Sequence, residues 1–149
     1  MKLLSPAFEN GDAIPRKYGY NQENINPPLI IKDVPKDALS LVLIMDDPDA
    51  VEAVGKVWTH WILWNIPPTT NLFLENSVPF GSEIGMNDFG ESGYGGPAPP
   101  DKEHTYYFKI YALTKTLNLE KDVTKEHLEN LIKSDILSET TLIGKFSPS

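Results

Sequence analysis

Cysteine is absent from these 149 residues, which removes disulfide scaffolds, thiol nucleophiles and thiolate zinc sites from consideration. Positive charge is scarce as well. Thirteen Lys and Arg against twenty-one Asp and Glu leave a formal net charge of −8. Such a chain has no basic field to draw it to nucleic acid or to anionic lipid, so neither is expected as a partner. An anion bound here must be held by a local site, against the field of the whole molecule. Long apolar runs are also missing. Met1-Lys2-Leu3-Leu4 starts like a signal peptide, but Pro6 and the polar residues 9–12 interrupt it. No segment approaches the length of a membrane span, so the expectation is a cytoplasmic protein without stable membrane insertion. Histidine is limited to three residues, His60, His104 and His127.

What is present fits one globular domain over residues 1–149. Hydrophobic residues make up 40% and charged residues 23%, enough apolar material for a core and too much for a disordered chain. Thirteen prolines and ten glycines break the chain at short intervals, which favours strands and turns over long helices. Residues 1–36 are irregular, with Gly11-Asp12 predicted as a hairpin turn. Residues 39–45 are almost continuously apolar and predict a strand covered on both faces, stopped by Asp46-Asp47-Pro48-Asp49. Residues 58–66 predict a second strand. Period two sends Trp58, His60, Ile62 and Trp64 to one face and Thr59, Trp61 and Leu63 to the other. Residues 69–100 read as a long loop, a length that tends to be functional. Residues 105–113 predict a third strand, with Tyr106, Phe108, Ile110 and Ala112 on one face.

One helix is expected, capped by Asp122 or Thr124, with Leu128, Leu131, Ile132 and Ile136 at helical spacing. A short last strand follows over residues 140–146. The pattern predicts a mainly β fold, a two-sheet antiparallel sandwich with a C-terminal helix. Trp61 and Trp64 suit core packing better than a subunit interface; a homodimer stays open.

Chemistry gathers in two places. Asp47-Pro48-Asp49 ends the first strand, and proline holds the two carboxylates on a stiff extended segment. Three acidic residues in four also suggest Ca²⁺ or Mg²⁺, but the alternation and terminal Glu of a calcium loop are lacking, so no metal is assigned. Gly95-Gly96-Pro97-Ala98-Pro99-Pro100 forms the second cluster, followed by His104 and Tyr106, which are two apart and share a side. Glycines there let backbone N–H groups approach a ligand closely. Gly90-Glu91-Ser92-Gly93-Tyr94 misses the nucleophile elbow at its last position, so no serine triad is proposed. His127, between Glu126 and Glu129 on the helix, is expected to be solvated.

These pieces together resemble the phosphatidylethanolamine-binding protein family, also called the Raf kinase inhibitor protein family, in its shorter bacterial and archaeal branch. The resemblance rests on Ser5-Pro6-Ala7-Phe8, Asn26-Pro27-Pro28-Leu29, LVLIMDDPDA at 41–50, WTHWILWNIP at 58–67 and GMNDFGESGYGGPAPP at 85–100, continued by His104-Thr105-Tyr106-Tyr107-Phe108. It implies a two-sheet fold with a C-terminal helix and a pocket for phosphate-like anions or phosphoethanolamine head groups. By position, the pocket carboxylates fall on Asp47 and Asp49 and the strand histidine on His60. The loop backbone falls on Ala98, the walls on Trp58 and Pro100, and the second histidine and the tyrosine on His104 and Tyr106. Three departures stand out. Residues 50–56 replace an Ala-Pro, which implies a looser wall; the segment from Pro100 to His104 is short, which implies a displaced His104; and Thr105 stands where the family has arginine.

The resemblance implies a regulatory binding module without cofactor, acting on a kinase or other partner protein. Serine protease inhibition through an exposed loop, at 51–55 or within 69–100, is the alternative. A hydrolase using Asp47 and His60 is the third reading. A carboxylate beside His60 is expected to favour its imidazolium form, which would donate to a phosphate oxygen.

Overall fold

The computed structural model describes residues 1–148. In chain order these form β1 (Lys2–Leu4), a single 3₁₀ turn (Arg16–Tyr18), β2 (Leu29–Lys32), β3 (Ser40–Asp47), α1 (Ala50–Val54) and β4 (Trp58–Ile66). Then come β5 (Leu72–Phe73), β6 (Glu83–Ile84), β7 (His104–Leu113), α2 (Lys125–Ile132) and β8 (Ile136–Phe146). Two antiparallel sheets result. The smaller has the order β1-β2-β5 and the larger β6-β4-β3-β7-β8. The mainly β sandwich read from the sequence is the fold observed.

β3 is central because it is apolar on both faces, and every one of its residues is buried. Leu41, Leu43 and Met45 join Trp61, Phe108 and Ile110 against Leu29, Ile31 and Phe73 of the smaller sheet. Val42 and Ile44 point the other way, packing with Ile62, Trp64 and the helix residues Leu128 and Ile132. The larger sheet is therefore the middle layer, with the small sheet on one side and α2 on the other. Trp61 and Trp64 are both core residues, each on its own side of that layer. Burial of a side chain this size contributes about 1.5–3 kcal/mol, so the two clusters hold the layers together without any covalent link.

Several elements differ from the sequence reading. The helix stops at Ile132, and Ile136 instead opens β8, pairing with Leu113. A turn in which Asp135 N–H donates to Ile132 O makes the break. β8 consequently runs the full length of β7, longer than the predicted 140–146. Thr124 is the residue that caps α2, its hydroxyl accepting from His127 N–H at 3.1 Å. Gly11, at φ +89°, does form a turn, but its N–H donates to Ile143 O. The turn thus lays the N-terminal segment beside β8 rather than closing a hairpin.

The second strand departs from strict alternation in a way that matters for the site. Met45 pairs with Trp61, yet Asp46 pairs with Thr59, so His60 is one extra residue in β4. Such a bulge turns two successive side chains to the same face. Ile62 and Trp64 face α2, as the period predicts, but His60 and Trp58 line a cavity on the opposite side. Asp46 and Asp47 also part company. Asp46 is 1% exposed and meets Lys109 at 3.0 Å and Lys125 at 3.5 Å, pinning α2 to the sheet.

Gly144 lies opposite Tyr106 in β8, where Phe8 and Ile14 cross the sheet. A β-carbon there would come within 2.5 Å of Ile14 Cγ1 and 2.8 Å of Phe8 Cε2. Both neighbours are buried, so they have little room to retreat. Gly144→Ala should therefore lower stability by about 1–3 kcal/mol in urea unfolding, the usual cost of overpacking.

Candidate functional site

At the end of the larger sheet, where β3 finishes and β7 begins, a cavity of about 170 Å³ opens. Asp47 comes from β3, Trp58 and His60 from β4, and His104 and Tyr106 from β7. Ala98 and Pro100 supply one wall. Seven of the eight residues expected from the sequence are thus brought together. Asp49 is not. Its Oδ2 accepts from Thr105 N–H at 2.8 Å, and its own N–H donates to Asp47 Oδ1 at 2.9 Å. Asp49 ties the end of β3 to the start of β7 and orients Asp47; its carboxylate does not line the cavity.

The imidazolium form expected at His60 is favoured at His104 instead. His104 is 1% exposed and its Nδ1 meets Asp47 Oδ2 at 2.6 Å, while Nε2 meets Asp101 Oδ1 at 2.7 Å. Two carboxylates at the two ring nitrogens favour a proton on both, which is the imidazolium form. Burial works against that charge, but the bonds to Asp47 and Asp101 outweigh it and raise the His104 pKa above the ordinary histidine value. Burial likewise raises the Asp47 pKa, an effect that His104 offsets only in part. With the short segment after Pro100, His104 still lines the cavity. The segment brings Asp101 against the ring.

His60 has no carboxylate partner. Its Nδ1 donates to Gly95 O at 2.6 Å, and burial lowers its pKa to about 4. The expected imidazolium at His60 is therefore corrected to a neutral ring, because desolvation exceeds the help from the Gly95 and Gly96 backbone. Nδ1–H to carbonyl fixes the tautomer and leaves Nε2 as a bare acceptor. The Tyr106 ring stands edge-on to His60, with centroids 5.2 Å apart. Its hydroxyl, on a residue of 0% exposure, lies close to Asp47 and the Ala98 N–H but makes no well-formed hydrogen bond among the described residues. Burial and the nearby Asp47 charge raise the Tyr106 pKa, so the hydroxyl keeps its proton. Trp58 Nε1–H is buried without a partner too.

The glycines of the second cluster serve packing rather than ligand approach. Gly95 N–H donates to His60 O at 2.9 Å and Gly96 N–H to Asn24 Oδ1 at 2.8 Å. A β-carbon on Gly96 would collide with the Tyr18 carbonyl. The loop is consequently pressed against residues 18–20, and Tyr20 N–H closes the seam by donating to Pro97 O.

Three contributors escaped the sequence reading. Residues 50–54 form α1, and Ala50, Ala53 and Val54 give the cavity an apolar wall. Phe89 completes that wall, stacked on Tyr20 at 3.9 Å and edge-on to Trp58 and His60. A single aromatic in a polar loop gives no periodic signal. Asp101 does have one in retrospect, a carboxylate three residues ahead of a pocket histidine. His127 is exposed on α2, away from the site.

The buried neutral His60 has a consequence for stability. Unfolded, it titrates near 6.5; folded, near 4. Between those values the unfolded chain binds more protons, so stability falls as pH drops, by about 3 kcal/mol from this group. His104, shifted the other way, contributes stability below pH 6.5 that is lost as pH rises through its folded pKa. His60→Asn, whose amide can still donate to Gly95 O, should flatten the loss between pH 6.5 and 4 in denaturant melts. An unchanged slope would place the acid sensitivity elsewhere.

Residues 4–147 match the family model described as phosphatidylethanolamine-binding protein. A UPF0098 protein of Methanothermobacter thermautotrophicus is 44% identical over 151 residues, with 98% of each chain covered. A UPF0098 protein of Chlamydia trachomatis is 42% identical over 148 residues, again covering 98% of each. Among solved structures, CT736 of Chlamydia trachomatis, described as a phosphatidylethanolamine-binding protein homolog, superposes with a TM-score of 0.92 at 40% identity, covering 99% of this chain and 97% of that one. YbcL of E. coli shares the fold, with a TM-score of 0.91 at 24% identity over 99% of this chain and 98% of its own. The chain belongs to the phosphatidylethanolamine-binding protein family.

Proposed function

We propose that this chain is a cytoplasmic binding module whose cavity holds the phosphate-type head of a small ligand, and that it acts by engaging partner proteins rather than by catalysis. The unpartnered hydroxyl of Tyr106 carries the reading. A buried hydroxyl without a hydrogen bond costs about 1–3 kcal/mol, a large share of a typical domain's stability. Trp58 Nε1–H is a second such donor, on another residue that lines the cavity. Two unsatisfied donors on residues that line one cavity suit an oxygen-rich anion. The hydrolase reading loses its premise, because Asp47 bonds to His104 and not to His60.

Function and stability should then oppose each other at this position. Tyr106→Phe should leave the free protein equally stable or raise its stability by up to about 1 kcal/mol. The same change should weaken phosphate or phosphoethanolamine binding at least tenfold by calorimetry. Reduced stability with intact affinity would contradict the proposal.

Protease inhibition has one observation in its favour. Phe80 is 99% exposed at the tip of a turn in which Ser82 N–H donates to Pro79 O. A bare aromatic on a rigid turn suits the apolar specificity pocket of a chymotrypsin-type enzyme. If this reading holds, excess protein should inhibit chymotrypsin and Phe80→Ala should restore its activity; full activity with the unaltered chain removes it.

A further inference from the structure

Near neutrality a phosphate monoester carries one negative charge or two, because its second pKa is about 6. The hydrogen-bonding groups of the cavity distinguish these forms. His104 has no proton to offer, since Nδ1 and Nε2 are both taken by carboxylates. The proton of His60 is taken by Gly95 O, so its remaining nitrogen only accepts. Asp47 only accepts as well. Among the described residues, Tyr106 O–H and Trp58 Nε1–H have no well-formed hydrogen bond, and both residues line the cavity.

The charges around the cavity point the same way. On β3 and its extension stand Asp47 and Asp49, and behind the sheet Asp46 with Lys109. Beside β4, Lys56 is matched by Asp88 at 3.0 Å. At the rim, Glu52 of α1 is paired with Lys102 at 2.5 Å. His104 on β7 faces both Asp47 and Asp101. Every cation here already has a carboxylate, and His104 has two. A dianion would meet no unmatched positive charge, in a chain whose net charge is −8.

Resting on the phosphate-type reading, we propose that the cavity selects phosphate monoesters that keep one proton, with that proton bridging the ligand and His60 Nε2 while Tyr106 and Trp58 donate to the charged oxygens. A phosphodiester has the right charge but lacks the proton. It would leave the buried His60 acceptor unpaired, the type of mismatch that gives strong discrimination. The cavity of about 170 Å³ admits a phosphoryl group with a small substituent, and its α1 wall offers that substituent an apolar surface.

Calorimetric titration of the full chain from pH 4.5 to 8.5 tests this. The probes are the monoester phenyl phosphate and two phosphonate analogues of it, benzylphosphonate and α,α-difluorobenzylphosphonate, alike in size but different in second pKa. Affinity should fall tenfold per pH unit above each ligand's own second pKa, so the break moves with the ligand. A break at one pH for all three would mean that a protein group titrates instead, and would overturn the proposal. Phosphoethanolamine and glycerophosphoethanolamine form the second comparison, the diester standing for a lipid head group. At pH 5 the monoester should bind at least tenfold tighter, and His60→Asn should bring that ratio close to one. Equal binding by the unaltered chain, or a preference that survives in His60→Asn, also overturns the proposal. If no probe binds at any pH, the phosphate-type reading falls and takes this one with it.

Discussion

One residue too many in β4 determines what the cavity contains. β3 alternates through the sheet, so Asp47 faces the cavity only because Asp46 faces α2. An unbroken β4 would turn His60 to the α2 side with Ile62 and Trp64. The shift of pairing from Met45–Trp61 to Asp46–Thr59 absorbs His60 as a bulge and sends it to Asp47's side instead. Gly95 then has to be where it is: its carbonyl takes the His60 proton and its N–H is held by the His60 carbonyl. Loop position, histidine tautomer and cavity polarity all follow from that insertion.

The electrostatics follow from burial as much as from charge. Two histidines line one cavity and end in opposite states. His104 reaches Asp47 and Asp101 and gains a proton that it cannot donate elsewhere. His60 meets only backbone carbonyl, and desolvation keeps it neutral. Acidic composition is therefore no obstacle to holding an oxyanion, provided that recognition comes from neutral donors and one shared proton instead of a cationic patch.

Much of this was legible in the sequence, and the limits have physical causes. β3 could be read because both of its faces are buried and its residues are uniformly apolar. Thr124 and the Leu128–Ile132 spacing marked α2, since capping and amphipathicity are local. Asp47, His60, His104 and Tyr106 were found through motifs, and the structure places them around one cavity. Their pairing was not found. Whether Asp47 meets His60 or His104 depends on a bulge, and a bulge changes no residue type. Asp49 looked like a ligand because it is a carboxylate beside the site, yet the need of Thr105 N–H for an acceptor claims it. β5 and β6 are two residues long, too short for any period to register. Ile136 fits the helical spacing, but pairing with Leu113 along a ten-residue neighbour outweighs one more turn of helix.

The walls explain why a cavity with unsatisfied donors stays open instead of collapsing. Its floor is set in the middle sheet, whose register is fixed by cores on both faces. The loop behind it cannot move inward without losing the Gly96–Asn24 and Tyr20–Pro97 bonds, nor outward against Tyr18. Only α1 lacks such ties. It is five residues long, its Val51 and Val54 are about half exposed, and its polar link across the mouth is the surface pair Glu52–Lys102. Surface pairs of this kind contribute at most about 1 kcal/mol. The floor is therefore preorganised by the fold, whereas the α1 wall is free to adapt to what the cavity holds.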